Sequence, residues 1–123
     1  MPKVVAVIGA SSDRRKFGNR AVRAYQQQGE TVIPINPHEA SVEGLKAYAS
    51  VLDVPGTIDT ALFYVQPDVG ERVIEEVAKK GIGEVWFNPG AESDALIAKA
   101  QSLNIKPILA CSVIAIGRDP YTV

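Results

Sequence analysis

Val4-Val5-Ala6-Val7-Ile8-Gly9-Ala10-Ser11-Ser12, running on through Asp13-Arg14-Arg15-Lys16-Phe17-Gly18, decides the fold. Its first five residues are apolar and four of them β-branched, the pattern of a strand buried on both faces in a parallel sheet. Gly9 stops the run, and the small residues Ala10, Ser11 and Ser12 let the backbone turn tightly and lie open to a ligand. A helical pattern starts near Phe17-Gly18. Strand, small-residue turn and helix N-terminus in that order bind phosphate, because unpaired N–H groups and the positive end of the helix dipole converge there.

The rest of the chain repeats the alternation. Phe17, Ala21, Ala24 and Tyr25 share one helical face, with Arg20, Arg23 and Gln26-Gln27-Gln28 largely on the other, and Gly29 is placed to stop the helix. Thr31-Val32-Ile33-Pro34-Ile35 reads as a second strand. Pro34 cannot donate to a ladder, so an edge, a bulge or the strand's last residues suits it. Asn36-Pro37-His38 breaks that strand, and a polar connection follows to Ser50. Residues 50–54 fit one short helical turn ended by Pro55-Gly56. Thr60-Ala61-Leu62-Phe63-Tyr64-Val65 is a third buried strand, broken by Gln66-Pro67. Asp68 is then an N-cap candidate for a helix with Val69, Val73, Ile74 and Val77 inward and Gly81 at its end. Glu84-Val85-Trp86-Phe87 is strand four, a helix over about 92–103 buries Leu96, Ile97, Ala100 and Leu103 and stops near Asn104, and Lys106-Pro107-Ile108-Leu109-Ala110 is strand five. The expected class is α/β, with a five-stranded parallel sheet flanked by helices. At 123 residues one domain is expected.

The totals narrow the function. A net charge of −1 argues against a general nucleic-acid binder. Five of the 13 Lys and Arg residues (Arg14, Arg15, Lys16, Arg20 and Arg23) nevertheless cluster beside the proposed phosphate turn, either as a solvated helix face or as contacts to a ligand phosphate. Cys111 is the sole cysteine, so no disulfide framework exists. No signal peptide is evident and no apolar run is long enough to span a bilayer, which sets a cytoplasmic, membrane-free expectation.

In such a sheet the ligand lies beyond the carboxyl ends of the strands. The turns there are Gly9-Ala10-Ser11-Ser12, Asn36-Pro37-His38, Val65-Gln66-Pro67, Asn88-Pro89-Gly90 and Ala110-Cys111-Ser112. Three contain proline, which stiffens them as rims of a crevice. The first turn has one glycine where a dinucleotide fingerprint has three, and strand two ends in Ile35-Asn36-Pro37 with no carboxylate, which disfavours NAD. A P-loop is absent from the sequence as well.

Gly9-Ala10-Ser11-Ser12 with Lys16-Phe17-Gly18-Asn19, Ile35-Asn36-Pro37, Tyr64-Val65-Gln66-Pro67 and Trp86-Phe87-Asn88-Pro89-Gly90-Ala91-Glu92 together resemble the small stand-alone CoA-binding proteins. That family is related to the CoA-binding domain of the succinyl-CoA synthetase α subunit, and the resemblance covers residues 4–111. It implies a single Rossmann-like three-layer domain over residues 1–123, with coenzyme A or an acyl-CoA as ligand. Carried over by position, Gly9, Ala10, Ser11, Ser12, Arg14, Arg15 and Lys16, with Phe17 and Gly18 at the helix start, would hold the pyrophosphate and the charged ADP end. Ile35, Asn36, Pro37 and His38 would line the adenosine side, and Val65, Gln66 and Pro67 with Phe87, Asn88 and Pro89 would flank the rest of the ligand. The Arg14-Arg15-Lys16 run offers a partner for the 3′-phosphate of CoA.

The chain departs from the family where the last strand usually runs into Cys-Pro, since Cys111 is followed by Ser112-Val113. The synthetase acts through a phosphorylated histidine, and the single histidine, His38, does not correspond to it. Synthetase activity is therefore not carried over. No nucleophile–base pair or metal-ligand spacing is legible, so a non-enzymatic CoA carrier or sensor is the leading reading. An NAD(P)-dependent oxidoreductase and an interaction scaffold with a vestigial pocket are the alternatives. Cys111 reads either as a small buried residue or as a thiol facing that of CoA. Self-association and a protein partner stay open.

Overall fold

In the computed structural model, which describes residues 2–123, the elements run β1 (Val4–Ile8), α1 (Phe17–Gln27), β2 (Thr31–Ile35), β3 (Ser41–Val42), β4 (Leu45–Lys46), a 3-10 turn (Val51–Asp53), β5 (Thr60–Phe63), α2 (Pro67–Lys80), β6 (Glu84–Phe87), α3 (Asp94–Ser102), β7 (Lys106–Leu109) and α4 (Ser112–Ala115). Five strands form one parallel sheet in the order β2-β1-β5-β6-β7, which is the expected Rossmann-like α/β class. The order reverses between β1 and β5, because the chain leaves β1 toward β2 on one side and β5 toward β6 on the other. That switch point opens a crevice at the strands' carboxyl ends.

The unbroken apolar run of β1 follows from its two covered faces. Val5 and Val7 pack with Ala21, Val22, Ala24 and Tyr25 of α1, whereas Ala6 and Ile8 pack with the layer of α2 and α3 that contributes Ile74, Val77, Leu96 and Ala100. Pro34 sits on β2, a sheet edge, where its missing N–H costs no ladder bond. The stops expected at Gly29, Gly81 and Asn104 are observed, each with positive φ.

Some local expectations change. Asp68 is not the cap of α2: Gln66 holds that position, Pro67 is the first helical residue, and Asp68 adds its charge to the first turn. Phe17 leaves the buried face and is 45% exposed at the start of α1, where its ring packs edge-on against Tyr121 at 5.6 Å and under the Arg20 guanidinium at 5.0 Å. Helix α3 starts at Asp94 rather than near Glu92, since Ser93 caps it by accepting from the Leu96 N–H at 3.1 Å. Strand β7 is a second edge, packed by α3, and Leu109 is 55% exposed. The connection before Ser50 contains the β3–β4 hairpin, turned at Glu43 (φ 49°) and Gly44 (φ 78°).

One close approach fixes α1 on β1. A Cβ built on Gly18 would overlap the carbonyl oxygen of Gly9, and one on Gly9 would lie 2.6 Å from the Tyr64 carbonyl oxygen. Both obstacles are backbone, so neither can swing aside. Gly18→Ala should cost at least about 2 kcal/mol in urea unfolding, at the upper end of overpacking penalties. Gly83→Ala, where a Cβ meets nothing within 4 Å and φ is not positive, should stay within about 0.5 kcal/mol.

Candidate ligand-binding site

At the switch point the turns frame a cleft of about 380 Å³, within the usual range for small-molecule sites. Gly9 and Ser11 come from the turn after β1, Lys16, Phe17 and Gly18 from the start of α1, and Asn36 from the end of β2. Phe63, Tyr64, Val65 and Gln66 come from the end of β5, and Asn88, Pro89, Gly90 and Ala91 from the turn after β6.

Asparagines hold these rims in place. Asn36 donates from its side chain to the Ala10 carbonyl at 2.7 Å and from its backbone to the Tyr48 carbonyl at 2.9 Å, and its Oδ1 accepts the His38 N–H at 2.8 Å. Asn19, fully buried, donates to the Ser11 carbonyl at 2.7 Å and to Glu43 at 3.0 Å, while its Oδ1 accepts from Arg23 Nε at 2.7 Å. Asn88 donates to the Phe63 carbonyl at 3.1 Å, and its Oδ1 accepts from both the N–H and the hydroxyl of Ser112, at 2.8 and 2.9 Å. The Ser112 hydroxyl is also bonded to the Tyr64 hydroxyl at 2.8 Å, and the Ser112 carbonyl accepts from Tyr25 at 2.8 Å. Buried amides at Asn19 and Asn88 and a half-buried one at Asn36, each hydrogen-bonded through both its nitrogen and its oxygen, make a rigid frame.

The start of α1 is electrostatically open toward the cleft. Its cap, Lys16, makes no side-chain capping bond, and the first turn carries no acid, so the positive helix end faces an anion site uncompensated by its own sequence. The basic cluster divides. Lys16 lines the cleft, and no salt bridge engages it among the described residues. Arg14 pairs with Glu43 at 3.5 Å. Arg15 grips Asp13 through Nε and a terminal nitrogen at 3.1 and 3.0 Å, and holds that carboxyl at about 2. Arg20 lies over the Phe17 ring and donates to the Pro120 carbonyl at 3.1 Å, and Arg23 reaches the carbonyls of Val123 and Arg14 at 2.8 and 2.9 Å.

Of the residues singled out from sequence, Gly9, Ser11, Lys16, Phe17, Gly18, Asn36, Val65, Gln66, Asn88 and Pro89 meet in this cleft. Ala10, Ile35 and Phe87 are buried in the core behind it, and Phe87 packs edge-on against Phe63 at 5.1 Å. Ser12, Arg14, Arg15, Pro37, His38 and Pro67 lie outside the lining, and Ser12 is held by Glu39. Phe63, Tyr64, Gly90 and Ala91 line the cleft although they were not singled out, but Tyr64 and Gly90-Ala91 belong to motifs quoted above, which was the available signal. Cys111 is partly buried ahead of α4 and is not part of the lining.

Residues 3–117 match the family model described as CoA binding domain. The chain belongs to the CoA-binding domain family. It is 41% identical over 90 residues to an ADP-forming acetate–CoA ligase of Methanocaldococcus jannaschii, covering 72% of this chain and 13% of the ligase. It is 38% identical over 82 residues to the α subunit of the ADP-forming acetate–CoA ligase II of Pyrococcus furiosus, covering 66% and 18% respectively. The chain thus spans less than a fifth of the length of these ligases. Among solved structures, a conserved hypothetical protein from Pyrococcus furiosus superposes with a TM-score of 0.86 at 32% identity, over 94% of this chain and 99% of that one. The dinucleotide-forming acetyl-coenzyme A synthetase 1 of Ca. Korarchaeum cryptofilum, in complex with phosphate and ADP, superposes at 0.79 and 31%, over 89% of this chain and 26% of that one.

Two outcomes follow for the polar frame. Asn88→Ala should destabilise by about 2–3 kcal/mol, because it strands the Ser112 N–H and the Phe63 carbonyl in the interior. Burial pushes Tyr25 up to about 12 against the opposing Ser112 bond, and pushes Tyr64 up as well. A phenol raised in the folded state stabilises fully below its unfolded pKa, about 10, and that stability drains as pH rises toward 12. Phenolate absorbance from these two tyrosines should therefore appear together with loss of far-UV circular dichroism, and Tyr25→Phe should remove part of that increment.

Proposed function

We propose that this CoA-binding domain protein binds coenzyme A or an acyl-CoA without catalysing its transfer, as a carrier or sensor. The observation that supports the reading most directly is the joint placement, at the sheet's switch point, of the small-residue turn, the uncapped start of α1 and Lys16. These donors suit a pyrophosphate: Gly9 lets the backbone come close, the helix end supplies N–H groups, and Lys16 supplies a cation. Pro89 and Asn88 at the far wall, with Phe63 and Val65, offer the mixed apolar and amide surface that suits a pantetheine arm. The ADP end would lie toward Asn36 and the basic segment. The non-enzymatic part of the reading draws support from His38, the sole histidine, which is exposed and outside the lining.

Calorimetric titration with CoA, dephospho-CoA and NAD tests this. CoA should bind and NAD should not. Lys16→Ala should weaken CoA about tenfold, as for loss of one charge-assisted contact. Weaker binding of dephospho-CoA would assign the basic segment to the 3′-phosphate. Tight NAD binding with none for CoA would overturn the proposal in favour of a reductase.

A further inference from the structure

The phosphate turn already holds an anion, and the anion is the protein's own. Both oxygens of the Glu39 carboxylate are spent on Ser12: Oε2 accepts its N–H at 2.5 Å, and Oε1 accepts its hydroxyl. One backbone N–H and one hydroxyl presented by a single turn residue are the donors that a phosphoryl oxygen takes at such sites. Glu39 reaches them from the irregular segment between β2 and β3, where its neighbours Pro37, His38 and Ala40 are exposed. Its own backbone tie there is a long one, from its N–H to the Asn36 carbonyl at 3.5 Å. The carboxyl sits below the usual carboxylate range because of the two Ser12 bonds, with the charge of Lys16 adding to them. The segment on either side is pinned, by the His38 N–H on Asn36 Oδ1 at 2.8 Å and the Ala47 N–H on the Ala40 carbonyl at 3.0 Å, so the part free to leave the turn is the Glu39 side chain itself.

We propose that Glu39 is a displaceable internal anion that occupies the Ser12 donors until a phosphoryl group of the ligand replaces it, and so sets the charge a ligand needs in order to bind. The proposal rests on the reading that the ligand's phosphates bind at this turn. A tethered carboxylate competes at high local concentration, so a free carboxylate or a neutral ligand gains nothing by displacing it, whereas a pyrophosphate offers more charge and more acceptor oxygens. Displacement lowers apparent affinity by the fraction of time that the turn is occupied. It would also remove the carboxylate charge that Lys16 faces.

The test compares the full chain with Glu39→Gln and Glu39→Ala, each checked for an unchanged fold by circular dichroism. CoA binding is measured by calorimetry, and inorganic pyrophosphate binding by the 15N–1H resonance of the Ser12 amide. The proposal expects both anions to bind the variants about 3–10-fold more tightly, with Glu39→Ala the larger effect. It also expects the ligand-free Ser12 amide to lose its strongly bonded, downfield position in Glu39→Ala. Equal or weaker binding by both variants overturns it and leaves Glu39 as a strut. If CoA binds no form but pyrophosphate binds Glu39→Ala more tightly than the native chain, the proposed ligand falls and the displaceable anion stands. If neither anion binds any form, both fall.

Discussion

The contact on which the rest of the structure depends is backbone against backbone: the start of α1 pressed onto the carbonyl oxygen of Gly9 with no side chain between them. Only Gly18 allows it. Because the helix meets the strand there, its open N-terminus faces the crevice at the point where the strand order reverses, and Lys16 is carried to the rim. A larger residue would lift the helix, and the turn would lose both its shape and its electrostatic backing. Gly9 repeats the constraint on its other side, where the chain passes beneath the Tyr64 carbonyl. Two glycines nine residues apart thus do for this turn what a longer glycine-rich fingerprint does elsewhere, bringing helix, strand and ligand surface into close range.

Behind the turn, rigidity comes from amides rather than from ion pairs. Asn19, Asn36 and Asn88 each donate from their own element to a backbone carbonyl of another segment, and Ser112 joins the last of them to Tyr25 and Tyr64. Among the described residues no buried side-chain nitrogen or oxygen lacks a partner. Such a network is costly to break at one member and leaves the cleft with a fixed set of donors and acceptors. The flanking prolines at Pro67 and Pro89 restrict the same rims. Such a frame suits the ligand proposed above, because preorganisation lowers the entropic cost of binding a long flexible molecule.

The sheet was legible because β1 and β5 are continuous apolar runs and the helices carry clear stops at Gly29, Gly81 and Asn104. The hairpin was not. Its strands are two residues each, and its turn is Glu43-Gly44 rather than the Asn-Gly or Asp-Gly that signals such turns. The closing turns of the cleft were legible as motifs, because proline and asparagine after a buried strand mark its carboxyl end. The use made of the arginines was hidden, since the acceptors of Arg20 and Arg23 lie 100 residues away at Pro120 and Val123. The anion that Glu39 places on Ser12 was equally hidden, because a segment 27 residues downstream folds back onto the turn. Spacing along a chain does not report such returns. The absence of a carboxylate at the end of strand two, read from Ile35-Asn36-Pro37, holds for the strand itself, yet Glu39 brings one back within reach of the phosphate turn.

The most direct test of the central claim, that the ligand is held at the turn between β1 and α1, is chemical-shift mapping of the 15N-labelled chain during titration with CoA. The account predicts that the amides of Gly9, Ser11, Ser12, Lys16, Gly18, Asn36, Gln66 and Asn88 shift in a saturable way. Lys3, Glu30, Thr60 and Glu84, which line the smaller groove away from the strands' carboxyl ends, should not move. Shifts confined to that groove, or no saturable shift at the turn, would contradict it.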